Sequence, residues 1–136
     1  MQINPYLNFN GNCEAAFQFY ERCLRGKIEA LHTFGGTPME AHMPPELRDK
    51  VMHVRLSAGG AVLMGSDAPP DRYGQPKGMA VSLQVTDPAE AERLFKELSE
   101  NGKVEMPIGE TFWALRFGMF TDQFGIPWMI NCERPA

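Results

Sequence analysis

The side chains with chemistry to offer are few and scattered. His53 and Arg55 alternate with Met52, Val54 and Leu56. A strand there would present an imidazole and a guanidinium on one face and three apolar side chains on the other. An imidazole beside a fixed cation suits acid–base work or the binding of an anion. A solvent-facing pair on a short strand is the plainer reading. Arg116 is a single charge inside the apolar run Trp113 to Phe120. Burying a lone cation without a partner is too costly. An anion or a carboxylate is therefore expected beside it, in a polar cleft or across a subunit interface. His53 and Arg116 are the candidate catalytic groups. Ser66-Asp67 ends a strand near the mouth of such a cleft. It would position a ligand hydroxyl or amine, or cap the turn before Ala68-Pro69-Pro70. Trp113 and Trp128 suit stacking on a planar ligand, although packing accounts for them more simply.

Other combinations carry less. Glu40 and His42 form a loose Glu-x-His pair, His32 lies on a separate strand, no third ligand is evident, and all three read as exposed polar residues. The three cysteines, Cys13, Cys23 and Cys132, cannot all pair within one chain. No Cys-x-x-Cys is present, so structural free thiols in a reducing cytoplasm are expected. No Gly-rich phosphate loop opens a helix. The 13 basic residues are dispersed among 17 acidic ones, for a net charge of −4, which disfavours a nucleic-acid footprint. The N-terminal residues have neither a basic nor an apolar signal region. No apolar run approaches the roughly 18 residues of a membrane span.

The elements that must position these groups follow from periodicity. Ile3 to Phe9 reads as a strand. A helix follows from Cys13, with Ala16, Phe19, Tyr20 and Cys23 at helical spacing, Asn12 as N-cap and Gly26 as stop. Lys27 to Phe34 is a second strand, and 35–50 is a long Gly/Pro-rich loop. Met52 to Leu56 is a half-buried strand, Gly59-Gly60 a hairpin turn and Ala61 to Ser66 the return strand. Residues 67–78 read as a linker. The order then recurs. Met79 to Val85 is a strand, and Asp87-Pro88 starts a helix that carries Ala91, Leu94, Phe95 and Leu98. Asn101-Gly102 stops it. Lys103 to Met106, Trp113 to Thr121 and Trp128 to Cys132 are three further strands. Phe19-Tyr20 recurs as Leu94-Phe95, and Gly60 and Met64 recur as Gly125 and Met129. The chain of 136 residues thus predicts an α+β fold of two βαβββ modules, 3–66 and 79–132, within one domain. Each helix covers one sheet face. The faces left over would curve into a cleft, the default place for a ligand.

With this order the chain resembles the vicinal-oxygen-chelate superfamily of glyoxalases, bleomycin-resistance proteins and dioxygenases. Within it the resemblance is to the PhnB-like family, also labelled demethylubiquinone methyltransferase-like. The residues that carry it are Tyr6-Leu7-Asn8-Phe9-Asn10-Gly11-Asn12, Phe19-Tyr20, His53-Val54-Arg55-Leu56, Val62-Leu63-Met64-Gly65-Ser66-Asp67 and Thr111-Phe112-Trp113-Ala114. The C-terminal run from Thr121-Asp122-Gln123-Phe124-Gly125 to Cys132 is the most specific.

The resemblance implies a glyoxalase/bleomycin-resistance fold, a curved sheet cleft and a homodimer whose sheet edges the partner covers. It also implies metal ligands at positions that fall, by register, near Pro5, Met64, Ala80 and Met129. None of these is a hard-metal ligand, nor are the residues on either side. The expectation is therefore a small-molecule binding protein with no metal and no cofactor. Its expected ligand contacts are Leu7, Phe9, His53, Arg55, Met64, Ser66, Trp113, Met129 and Asn131. A metal-independent isomerase or lyase using His53 or Arg116 is the alternative, and a metal-dependent lyase or dioxygenase a more distant one. The methyltransferase label finds no Gly-rich turn for a methyl donor, and a βαβββ order is not a doubly wound sheet.

Overall fold

Strand alternation and helical spacing give the elements of the computed structural model, in which residues 1–135 are described. The chain divides into two compact units, Met1–Gly74 and a second beginning at Gln75. The first holds β1 (Tyr6–Phe9), α1 (Cys13–Leu24), β2 (Lys27–Thr33), β3 (Val51–Ala58) and β4 (Ala61–Asp67). Its sheet order is β1-β4-β3-β2, with β1 parallel to β4 and the other pairs antiparallel. The second holds β5 (Val81–Gln84), α2 (Pro88–Leu98), β6 (Lys103–Gly109), β7 (Ala114–Thr121) and β8 (Pro127–Glu133). Its order, β5-β8-β7-β6, and its parallel β5/β8 pair repeat the pattern. The fold is thus α+β, two βαβββ modules, as expected.

Each helix buries one stripe against its own sheet. Ala16, Phe17, Phe19, Tyr20 and Cys23 are buried on α1, and Ala91, Leu94, Phe95 and Leu98 on α2. Phe17 meets Phe9 of β1 edge-on, 6.0 Å between ring centres, and Phe95 meets Phe120 of β7 at 5.2 Å. Large side chains buried in this way stabilise by about 1.5–3 kcal/mol each. Two glycines make room for these helix aromatics. A Cβ on Gly65 would lie 2.7 Å from Phe17, and one on Gly118 would lie 2.6 Å from Phe95.

The helix exits show the repeat at atomic detail. The left-handed residues are Arg25 and Asn101, with φ of 52° and 59°. The glycines that follow, Gly26 and Gly102, are required by close approach instead. A Cβ on either would meet a backbone oxygen of the neighbouring strand end, Ser57 at 2.4 Å or Thr121 at 2.3 Å. Gly26 therefore ends the helix by proximity and not by its own left-handed conformation, and Arg25 turns the chain.

Several boundaries differ from the sequence reading. β1 begins at Tyr6, because Pro5 has no N–H to pair and Ile3 is exposed. The 35–50 segment contains two 3-10 turns, Pro38–His42 and Pro45–Leu47, each opened by its proline. β6 runs on to Gly109. It tolerates Pro107 because it is an edge strand, and it keeps its pairing with β7 through two register shifts. Asn12 makes no side-chain cap to α1, whereas Asp87 caps α2 by accepting from Ala89 N at 3.0 Å.

Candidate functional site

In each unit the helix covers one sheet face, and successive side chains of a strand alternate between the two faces. On β1 the pair that meets α1 is Leu7 and Phe9, both buried. Tyr6 and Asn8 stand on the opposite face. Register places Tyr6 beside Met64 and Met64 beside Arg55, with Asn8 beside Ser66 in the next row. His53 shares the face with Arg55, two residues along β3. The face of the first sheet away from the helix therefore gathers Tyr6, Asn8, His53, Arg55, Met64 and Ser66.

The polar groups on this face are linked. Tyr6 Oη lies 3.1 Å from His53 Nδ1, with the two rings stacked at 5.8 Å and 25°. Ser66 Oγ donates to Asn8 Oδ1 at 3.4 Å. Arg55 Nε donates to Glu29 Oε1 at 3.2 Å, a pair with both partners solvent-exposed. His32 stands opposite His53 on β2. A phenol hydrogen-bonded to an imidazole can hold a proton donor or acceptor in place for a ligand. The Arg55 cation adds attraction for an anion.

The corresponding face of the second sheet mixes thioether, aromatic, hydroxyl and amide side chains. Its rows are Ser82–Met129–Met119 and Gln84–Asn131–Phe117. Trp113, 43% exposed, packs edge-on against Phe117 at 5.3 Å. Asn131 Nδ2 donates to Gln84 Oε1 at 2.8 Å.

Of the residues expected at a ligand, His53, Arg55, Met64 and Ser66 thus share one face in the first unit. Met129 and Asn131 share the corresponding face in the second, with Trp113 against it. Leu7 and Phe9 do not belong to either set. The alternation of β1 turns them under α1, where they are core. Their neighbours Tyr6 and Asn8 take the exposed places that sequence reading missed. The signal was present in the apolar parity of Leu7 and Phe9, which marks the buried face of a strand covered on one side. Phe117, Met119 and Gln84 were also missed, being legible only through cross-strand register. Arg116 turns toward the helix. Its Nε donates to Glu92 Oε1 of α2 at 2.9 Å and its Nη1 to Leu115 O at 2.6 Å. The carboxylate expected beside it is present, within the same unit.

Asp67 is a structural group and not a ligand to anything at a cleft mouth. It is 3% exposed. Its Oδ1 accepts from Gly11 N at 2.9 Å and Cys13 N at 3.0 Å, and its Oδ2 from Val51 N at 2.9 Å. Asp122 does the same in the second unit, accepting from Phe124 N, Ile126 N and Trp128 Nε1. Trp128 is buried core. Glu40 accepts from Gly36 N and pairs with Arg48, which separates it from any metal role with His42. All three cysteines are buried, and none is in a disulfide. Burial, reinforced by the nearby Asp67 and Glu14 carboxylates, pushes the Cys13 thiol well above its ordinary range, so it is no nucleophile at neutral pH.

The metal positions implied by the resemblance can be tested against the donors present. Met64 and Met129 occupy equivalent places, each beside the first strand of its module, on β4 and β8. Pro5 and Ala80 precede β1 and β5. A thioether is a soft ligand, and proline and alanine offer no side-chain donor. These four residues do not fit a hard catalytic cation. Among the described residues no group of three His, Cys, Asp or Glu side chains converges as a metal site.

Two βαβββ modules, each with a helix on one face of its sheet, define the glyoxalase and bleomycin-resistance class. The chain belongs to the Glyoxalase/Bleomycin resistance protein/Dioxygenase superfamily, whose model matches residues 2–130. It is 37% identical to protein YjdN of Escherichia coli K12, over 96% of this chain and 95% of that one. Protein PA1353 of Pseudomonas aeruginosa is 51% identical in a crystal structure that superposes with a TM-score of 0.90, covering 99% of each chain. A Bacillus cereus PhnB protein, described as a putative 3-demethylubiquinone-9 3-methyltransferase, shares the fold at 21% identity. Its TM-score is 0.81, over 97% of this chain and 99% of that one. The PhnB-like resemblance read from the sequence holds. No described helix is long and apolar enough to cross a membrane.

Proposed function

We propose that this protein binds a small organic molecule on the helix-free faces of its sheets, without the metal ion of glyoxalase-type catalysis. The observation that carries this reading is the Tyr6–His53 hydrogen bond at 3.1 Å, which shares a face with Arg55, Met64 and Ser66. A purely structural sheet face has no need of a linked phenol and imidazole on its exposed side. The residues at the implied metal positions add to it, because methionine suits a permissive apolar surface better than a cation. Arg55 favours a ligand with a carboxylate, and small aromatic carboxylates are the first probes to use.

Titration by nuclear magnetic resonance tests the reading. Binding is expected to shift the Tyr6, His53 and Met64 signals. His53→Ala is expected to weaken it by about tenfold, the cost of one lost hydrogen bond in a ligand site. Arg116→Ala, on the helix side, leaves it unchanged. Unchanged affinity in His53→Ala would remove this face from the site.

A metal-independent isomerase or lyase is the second reading, and the same hydrogen bond favours it, because a phenol–imidazole pair can relay a proton. His53→Gln separates the two, since an enzyme loses turnover while a binding protein has none to lose. We also propose a cytoplasmic homodimer that does not bind nucleic acid. Exposed apolar side chains such as Val104, Met106 and Phe112 support an interface between copies. Light scattering that gives the mass of one 15.3 kDa chain at micromolar concentration would contradict the dimer.

A further inference from the structure

Three soft donors meet on the segment that joins β2 to β3. Met39, His42 and Met43 all line one cavity of about 340 Å³. The local backbone explains the meeting. Met39 and His42 lie three residues apart within the 3-10 turn Pro38–His42, and side chains at that spacing eclipse one another in such a turn. Met43 follows where the turn ends and the backbone becomes extended, with φ of −119° and ψ of 149°.

The segment is pinned by its own bonds. Thr37 Oγ1 accepts from Met39 N at 3.2 Å and donates to Phe34 O at 2.7 Å. Met43 N donates to Glu40 O at 3.2 Å. The Glu40 carboxylate accepts from Gly36 N and pairs with Arg48, while Leu47 anchors the next turn in the core. Donors carried on a fixed backbone lose little freedom when they close on a ligand.

Two thioethers and an imidazole form a set with a definite preference. Thioether sulfur selects soft ions, copper(I) above all, and imidazole also serves copper. Zinc is held by thiolate, imidazole and carboxylate, so two thioethers are a poor match to it. Met39 is 45% exposed and His42 is exposed, so an ion can reach the set from solvent. The thiols that would compete for a soft ion, on Cys13, Cys23 and Cys132, are buried. Asp71 and Arg72 also line the cavity and offset each other's charge.

We propose that Met39, His42 and Met43 bind a soft monovalent cation of the copper(I) class. The site shares no lining residue with the sheet face of Tyr6, His53 and Arg55. It therefore stands or falls independently of the small-molecule reading.

Titration of the full chain with Ag⁺, a redox-inert equivalent of copper(I), tests the proposal. The readout is the methionine methyl and histidine ring signals in nuclear magnetic resonance. One equivalent is expected to shift Met39, Met43 and His42, and Zn²⁺ at the same concentration to leave both methyl groups unmoved. Met39→Leu and Met43→Leu keep the apolar volume of an accessible side chain, so the fold is retained. Each is expected to weaken Ag⁺ binding by at least about tenfold, since even the loss of a partner behind a metal ligand costs about 10–100-fold. Unchanged affinity in both leucine variants would overturn the proposal. So would Ag⁺ shifts confined to other methionines or to the cysteines, an equal response of the two methyl groups to Zn²⁺, or no response to Ag⁺ at all.

Discussion

Tyr6 and His53 come from β1 and β3, 47 residues apart in the chain, yet their polar atoms lie 3.1 Å apart. Neither residue alone distinguishes a ligand site from a wetted surface. His53 was legible as a candidate because it alternates with Val54 and Leu56, and Tyr6 was not, because its partner is set by the parallel β1/β4 register. Arg116 shows the reverse. A lone cation in an apolar run demanded a carboxylate, which was legible, but Glu92 lies a helix away in sequence, so its identity was not. Cys13 gives a prediction at this scale. Its thiol is held protonated by burial, with the Asp67 and Glu14 charges adding to the effect. A group whose folded pKa is raised contributes its stability in full below the unfolded value, and loses it as pH rises toward the folded one. Stability should therefore begin to fall above the ordinary thiol value of 9.0. Cys13→Ala should flatten that alkaline decline in denaturant titrations at a series of pH values. An identical decline in the variant would contradict the assignment.

At the scale of elements, two buried carboxylates hold loops to strands. Asp67 gathers the N–H groups of Gly11, Cys13 and Val51, so the start of α1 and the start of β3 are fixed to the end of β4. This replaces the cap that Asn12 does not provide. Asp67→Ala leaves three N–H groups without their acceptor and should destabilise by on the order of 3 kcal/mol, measured by urea unfolding. A loss under about 1 kcal/mol, as for a surface hydrogen bond, would contradict this role. The order of strands and helices was legible because apolar periodicity, Asp87-Pro88 and Gly59-Gly60 are local signals. The parity of β1 was misjudged because four residues give only two apolar positions, and both belong to the helix side. The extension of β6 to Gly109 was hidden because Pro107 reads locally as a breaker, and only an edge position excuses it.

For the whole molecule, the two modules repeat at details that residue identity hardly shows. Arg25-Gly26 and Asn101-Gly102 make the same exit, a left-handed residue and then a glycine pressed on a strand end. Their helix-free faces have diverged. One carries Tyr6, His53 and Arg55, and the other carries Met119, Met129, Phe117 and an amide chain. The superfamily membership names metal enzymes and binding proteins alike, and fold alone does not choose between them. On the reading proposed above, Met64 and Met129, at equivalent places in the two modules, favour binding without a metal, because thioethers are poor ligands for a hard cation. The most direct measurement is a titration of chelator-treated protein with small aromatic carboxylates, followed at Tyr6, His53 and Met64. It is repeated after adding Zn²⁺, Ni²⁺, Mn²⁺ or Fe²⁺. The account predicts saturable binding by the metal-free protein, with affinity unchanged by each cation. Binding that appears only when one of these cations is supplied would contradict it.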